Sequence, residues 1–255
     1  MRIPGLGDTA AKPRASVPAD TRVYAVGDIH GCVDQLRALH GLILADRARD
    51  AAGGDAAARQ VLVYLGDYVD RGAESRAVVE LLASDPLPGF ERVFLRGNHE
   101  DFLLRFLERG EDAAAWMLNG GDATLRSYGV DPDAPNRDPG PRGLRAALSA
   151  AIPEHHLRFF CGLRLSHVEG DYLFVHAGLR PGVPLDAQDP EDLIWIRTPF
   201  LDSREDHGKV VVHGHTPSSA PEVRDNRIGI DTGAVYGGPL TAVVLQGRER
   251  RFLQA

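Results

Sequence analysis

Asp67, Asp70 and Arg71 lie in the single run GDYVDRG at 66–72, directly after the apolar stretch VLVYL at 61–65. Two carboxylates and a guanidinium in one tight loop can hold metal ions and a phosphate together. The run has company. GDIHG (27–31), GNHE (97–100), HAG (176–178) and HGHT (213–216) each follow their own apolar, β-branched-rich stretch. The chain therefore delivers carboxylate, amide and imidazole ligands to strand ends again and again.

Asp28 and His30 are two residues apart in a segment leaving a strand, so extended geometry points both side chains to one side and lets them grip one ion. Asp67 also sits at a strand end, and one carboxylate can span two ions held about 3.5–4 Å apart in a two-metal hydrolase. It is the bridging candidate. Asn98, His176 and His215 offer an amide oxygen and two imidazole nitrogens, a set that completes the shell of a second ion. Mixed nitrogen and oxygen donors suit manganese, iron or zinc, with manganese the ion expected to serve in vitro. Two carboxylates against two divalent ions leave net positive charge, which attracts phosphate. Gly27, Gly66, Gly97, Gly178 and Gly214 accompany these ligands, where a missing Cβ lets backbone turn sharply or approach a ligand closely.

These loops need a scaffold of strands. RVYAV (22–26) reads as a buried strand, followed by a helix from Val33 to Ala45 with Val33, Leu36, Leu39 and Leu42/Ile43 on one stripe. The unit recurs: VLVYL leads through GDYVDRG into a helix with Ala77, Val78, Leu81 and Leu82 inward, and RVFLR (92–96) leads through GNHE into EDFLLRFLER. Three strand-loop-helix units in series imply neighbouring parallel strands. Residues 48–58 and 131–143 read as surface loops, the second closing a helical insertion near 101–160 that walls one side of the site. LRLSHV (163–168) and DYLFVH (171–176) read as an antiparallel hairpin, and KVVVH, NRIGID, LTAVVLQ and RRFLQ as further strands. The expectation is a mixed α/β protein with two facing sheets, a single domain over 21–255 after a flexible tail at 1–20.

Composition bounds the partners. A net charge of -7 argues against a nucleic-acid partner, whose binding draws on clustered Lys and Arg. No apolar run approaches the roughly 20 residues that cross a bilayer, and the start lacks a signal-peptide core, so no membrane is expected and a cytoplasmic setting is. The two cysteines, Cys32 and Cys161, suit a reducing compartment. Cys32 is expected to be a packed helix-start thiol.

The ordered series GDIHG, GDYVDRG, GNHE, HAG and GHT resembles the calcineurin-like metallophosphoesterases of the phosphoprotein phosphatase family, of the bacterial and phage serine/threonine phosphatase type. The resemblance implies a four-layer α/β/β/α sandwich of two mixed sheets flanked by helices. It implies Asp28, His30 and Asp67 on a first metal and Asp67, Asn98, His176 and His215 on a second. By the same likeness His99 is the general acid, oriented by Asp70, while Arg71, Arg197, Asn98 and Tyr236 meet the substrate phosphate. Direct attack on phosphorus by a hydroxide bridging the ions is then expected, with no phosphoenzyme. The expected substrate is a phosphoprotein or phosphopeptide carrying phosphoserine or phosphothreonine, with phosphotyrosine and small phosphoesters also accepted.

The wider superfamily often ends with GHxH, but that last place is Pro217 here. His213 is passed over as a ligand in favour of the histidine of GHT, and His40, His155, His156, His167 and His207 lie in no motif, so packing or solvent exposure is expected of them. The nearest alternative function is symmetric diadenosine tetraphosphate hydrolysis, against which Asp70 and Glu100 both count. A non-catalytic binding scaffold is a distant alternative, because no ligand position is lost.

Overall fold

The structure is a computed structural model, and it describes residues 15–52, 57–84, 87–134 and 140–255. The first sheet contains β1 (Thr21–Val26), β2 (Arg59–Tyr64) and β3 (Glu91–Phe94) as parallel neighbours. The chain returns to it last: β9 (Thr241–Gln246) runs antiparallel to β1 and β10 (Glu249–Gln254) antiparallel to β9. The second sheet has the order β4 (Ser166–Glu169), β5 (Tyr172–Val175), β6 (Val210–His213), β8 (Arg227–Gly229) and β7 (Glu222–Val223). Within it β5, β6 and β8 are parallel and the two edge strands antiparallel, the β4–β5 pair being the hairpin expected from sequence.

Alternation along the strands builds the layers. Val23, Ala25, Val61 and Val63 face one way and pack with Tyr172, Phe174, Val212 and Ile228 of the second sheet. Tyr24, Val26, Leu62 and Tyr64 face the other way, onto Leu36, Leu39 and Ile43 of α1 (Val33–Ala52) and Val78 and Leu82 of α2 (Ser75–Ala83). On the far side Leu173, Val175 and Val211 meet Leu193 and Ile194 of α8 (Pro190–Trp195). These are the four layers, α/β/β/α. Each fully buried aliphatic side chain contributes roughly 1.5–3 kcal/mol to holding them together.

Helices fill the stretch between β3 and β4: α3 (Asn98–Arg109), α4 (Ala113–Trp116), α5 (Asp122–Ser127), α6 (Pro141–Ala151) and α7 (Glu154–Cys161). A wide turn at Met117–Gly121 joins α4 to α5, with Gly120 at φ 96°. Two expected boundaries shift. Residues 48–52 are the last part of α1 rather than loop, because Asp46 anchors that end to the Tyr24 hydroxyl (2.8 Å) and to Arg251. Residues 15–20 are packed rather than tail-like: Val17 is buried, its N–H donates to the Gly247 carbonyl (3.0 Å), and Ser16 donates to Asp171. The remainder of the expected tail, 1–14, and loop positions 53–56 and 135–139 lie outside the described residues.

Because β1, β2 and β3 are parallel, and β5, β6 and β8 likewise, the loops following these strands gather at the strands' carboxyl ends, where open α/β sheets place their ligands.

Candidate active site and metal centre

The sharp loops carry their strain at the chemical residues. Among the described residues seven non-glycine positions have positive φ, and five of them are His30, Asp67, Asp70, Arg71 and His215. Left-handed backbone costs a residue of this kind roughly 1–3 kcal/mol and persists where surrounding structure enforces it. Glu100 supplies that enforcement. Its buried carboxylate accepts from the backbone N–H groups of Asp67 (2.9 Å), Tyr68 (2.8 Å), Val69 (3.3 Å) and Gly97 (3.0 Å), tying GDYVDRG to GNHE. Burial and Asp67 push its pKa up to about 7, but both oxygens serve only as acceptors, which keeps it a carboxylate.

Asp28, His30, Asp67, Asn98, His176 and His215 are all buried and converge. The Nδ1 of His30 meets the Val69 carbonyl (2.8 Å) and that of His176 the Leu65 carbonyl (2.9 Å), so each ring donates Nδ1–H there and turns its Nε2 inward. His30 Nε2 then lies 3.4 Å from Asp67 Oδ2, and His176 Nε2 lies 3.4 Å from Asp67 Oδ1. Asn98 Oδ1 sits 3.0 Å from His176 Nε2 and 2.9 Å from His215 Nδ1. Asp67 thus offers one oxygen to each of two groups of donors, the arrangement expected of a bridge.

The donor set fits a pair of cations. His176 Nε2 lies 3.0 Å from Asn98 Oδ1 and 3.4 Å from Asp67 Oδ1, separations that match donors sharing one ion at about 2.0–2.2 Å each. Asp28 Oδ1 is buried with no hydrogen-bond partner. Burial, Asp231 and Asp67 together push Asp28 well above the usual carboxylate range, a cost that a bound cation relieves. Burial would raise Asp67 too, but the imidazoles of His176, His99 and His30 hold it well below. Burial lowers His30 to about 3, which favours the ligating neutral ring. Backbone makes room for these carboxylates: a Cβ on Gly97 would collide with Asp67 Oδ1 and one on Gly214 with Asp28 Oδ1.

His99 stands beside this cluster in the first turn of α3, its Nε2 4.0 Å from Asp67 Oδ2 and without a hydrogen-bond partner. Its Nδ1 meets Asp70 Oδ2 at 2.7 Å. Against the pull of burial, Asp67 and Asp70 raise the His99 pKa, so the imidazolium is favoured and Nε2–H is available to donate. Sequence reasoning missed what steadies Asp70. Trp116 Nε1 donates to Oδ2 (2.9 Å) and Thr124 Oγ1 to Oδ1 (2.6 Å), while the Asp70 N–H donates to Ser75 and Thr124. Burial pushes the Asp70 carboxyl up and these donors work the other way. The chain has two tryptophans, Trp116 and Trp195, and both border the site, Trp195 edge-on to His215; that scarcity was the available signal.

Arg71 Nη1 is 2.7 Å from His30 Nε2, and its guanidinium lies over the Tyr236 ring at 5.8 Å. Arg197 is exposed and reaches the His215 carbonyl at 3.5 Å. The structure therefore brings every sequence-proposed residue to one mouth, with Tyr236 at its solvent edge, 66% exposed. His213 turns away, its Nδ1 on the Gly214 carbonyl (3.0 Å) and its ring against Phe200. Cys32 is half-buried, and burial raises its thiol pKa, as expected of a packed thiol.

A family model described as calcineurin-like phosphoesterase matches residues 21–242. The chain is 28% identical over 232 residues to serine/threonine-protein phosphatase 1 of Salmonella typhimurium, covering 88% of this chain and 92% of that protein. It is 27% identical over 230 residues to the asymmetrical bis(5'-nucleosyl)-tetraphosphatase of Bacillus mycoides, covering 86% of this chain and 88% of that one. Among solved structures, one provisionally assigned as a diadenosine tetraphosphatase superposes with a TM-score of 0.62 at 23% identity, covering 95% of this chain and 98% of the other, a likeness of fold.

Proposed function

Because the chain belongs to the calcineurin-like phosphoesterase family, and is thereby a metal-dependent hydrolase of phosphoesters, we propose that its substrates are phosphoserine and phosphothreonine in proteins or peptides. Phosphotyrosine and small phosphoesters would use the same centre. The observation that carries this reading is the buried His99–Asp70 pair, with Nε2 of His99 turned toward the cluster. A serine or threonine side chain departs as an alkoxide, which needs a proton; a nucleotide departs as a stable phosphate anion and does not. An acid held this firmly is of most use to a monoesterase.

In this reading Arg71, at the inner rim, and Arg197, at the outer, neutralise the equatorial oxygens of the phosphoryl group, and the amide of Asn98 orients it. Tyr236 borders the leaving group. His99 gives up its Nε2 proton to the departing oxygen while Asp70, pinned by Trp116 and Thr124, keeps the ring in line. Two divalent ions held by Asp28, His30, Asp67, Asn98, His176 and His215 would supply an activated water and offset phosphate charge. Manganese is the pair proposed for assay, with iron and zinc suited to the same donors. No helix among the described residues is long and apolar enough to cross a membrane. We take the partner to be a cytoplasmic phosphoprotein.

Tyr236 favours a second reading. An exposed aromatic ring beside a phosphate-binding arginine can stack a nucleobase, and the tetraphosphatase relatives act on dinucleotides. Competition between a phosphothreonine peptide and diadenosine tetraphosphate, with manganese supplied, separates the two. The peptide is expected to have the higher kcat/KM. A dinucleotide preference that collapses in Tyr236→Ala would reverse the assignment.

A further inference from the structure

A second group of metal-binding side chains lies in the helical layer, apart from the dimetal cluster. Glu80 projects from α2, and His155 and His156 from the first turn of α7. Neighbouring residues on a helix ordinarily diverge, yet here both rings converge on one carboxylate oxygen. His155 Nε2 is 3.1 Å and His156 Nε2 2.9 Å from Glu80 Oε2, with the ring centroids 4.4 Å apart. The ligand atoms of all three residues lie within 4.8 Å of one another.

The ring of His156 is built in rather than adventitiously placed. Its side chain has no exposed surface, and Nδ1 meets the hydroxyl of buried Tyr128 at 2.8 Å. The hydroxyl accepts from Nδ1–H when Nε2 ligates an ion shared with Glu80, and donates to Nδ1 when Nε2–H meets the carboxylate directly, so the ring is held in place in either tautomer. A cleft of about 350 Å³, lined in part by Arg76, Glu80 and Ser127, opens beside the carboxylate.

Two imidazoles and one carboxylate form a donor set characteristic of zinc. We propose that Glu80, His155 and His156 bind a third metal ion, of zinc type, independent of the dimetal centre. The ion would tie α7 to α2. That places it one helix from the active site, since α2 begins with Ser75, whose hydroxyl accepts from the Asp70 N–H.

The test is to count zinc in full-length wild type, His155→Ala and Glu80→Gln after dialysis against the same zinc-buffered solution. His155 and Glu80 are both exposed, 43% and 55% for their side chains, so the variants are expected to fold. Each should hold one zinc per chain fewer than wild type, whatever number the dimetal centre retains, and manganese-supported turnover should be unchanged. Tyr128→Phe should weaken the third ion by about tenfold, as loss of an orienting partner does. Equal zinc counts in wild type and both variants would overturn the proposal, leaving Glu80 and the two histidines as a proton-sharing ion pair.

Discussion

Asp67→Asn is expected to lower kcat/KM for p-nitrophenyl phosphate by at least about a thousandfold and to leave the purified protein with less than its full pair of divalent ions. The reason is geometric. Asp67 Oδ2 faces His30 Nε2 while Oδ1 faces His176 Nε2, both at 3.4 Å, so the one side chain serves both halves of the cluster. Asparagine keeps the shape but loses the charge, and its NH₂ must point at one of the two imidazole lone pairs. Loss of turnover alone could follow from misfolding, so the check joins kinetics to metal analysis and a thermal melt. The imidazoles favour the Asp67 charge and Oδ1 accepts the His99 N–H (3.2 Å), so the metal-free variant should melt below wild type while still folding. A variant that keeps both ions and wild-type kcat/KM would remove Asp67 from its bridging role.

The second large effect depends on the leaving group. His99→Ala should cost about 10²–10⁴-fold with a phosphoserine or phosphothreonine peptide, the range typical of a positioned general acid. With p-nitrophenyl phosphate, whose leaving group is stable as an anion, the loss should be much smaller. Asp70→Asn should show the same split more mildly, because Trp116 and Thr124 still hold the side chain while the charge that favours the imidazolium is gone. Measuring kcat/KM for both substrates in both variants is sufficient. Equal losses on the two substrates would mean that His99 binds phosphate instead of protonating the departing oxygen.

The residues at the strand ends were legible because each lies within a few positions of an apolar, β-branched run, where periodicity and punctuation by glycine are strongest. GDIHG, GDYVDRG and GNHE announce their own position in a strand-loop-helix unit, and β1, β2 and β3 are parallel neighbours as that series implies. What was not legible depends on contacts between segments far apart in sequence. Trp116 and Thr124 reach Asp70 across 46 and 54 positions, from an insertion whose short helices carry no motif. The return of β9 and β10 to the first sheet is a packing outcome that no local pattern encodes. Glu100 is a sharper lesson. Sequence reasoning set it against dinucleotide hydrolysis, but the structure turns it onto four backbone N–H groups, where it braces two loops and faces no substrate. It therefore carries no weight on substrate class, and relatives named as phosphatase and as tetraphosphatase share similar identity with this chain.

The central claim is that the converging cluster around Asp67 is a metal-dependent phosphoesterase centre. The most direct measurement is phosphate release from p-nitrophenyl phosphate by the full chain before chelation, after chelation, and after return of manganese. The account predicts turnover that disappears with the ions and comes back with manganese. Turnover that survives complete metal removal, or that no divalent ion can support, would contradict it.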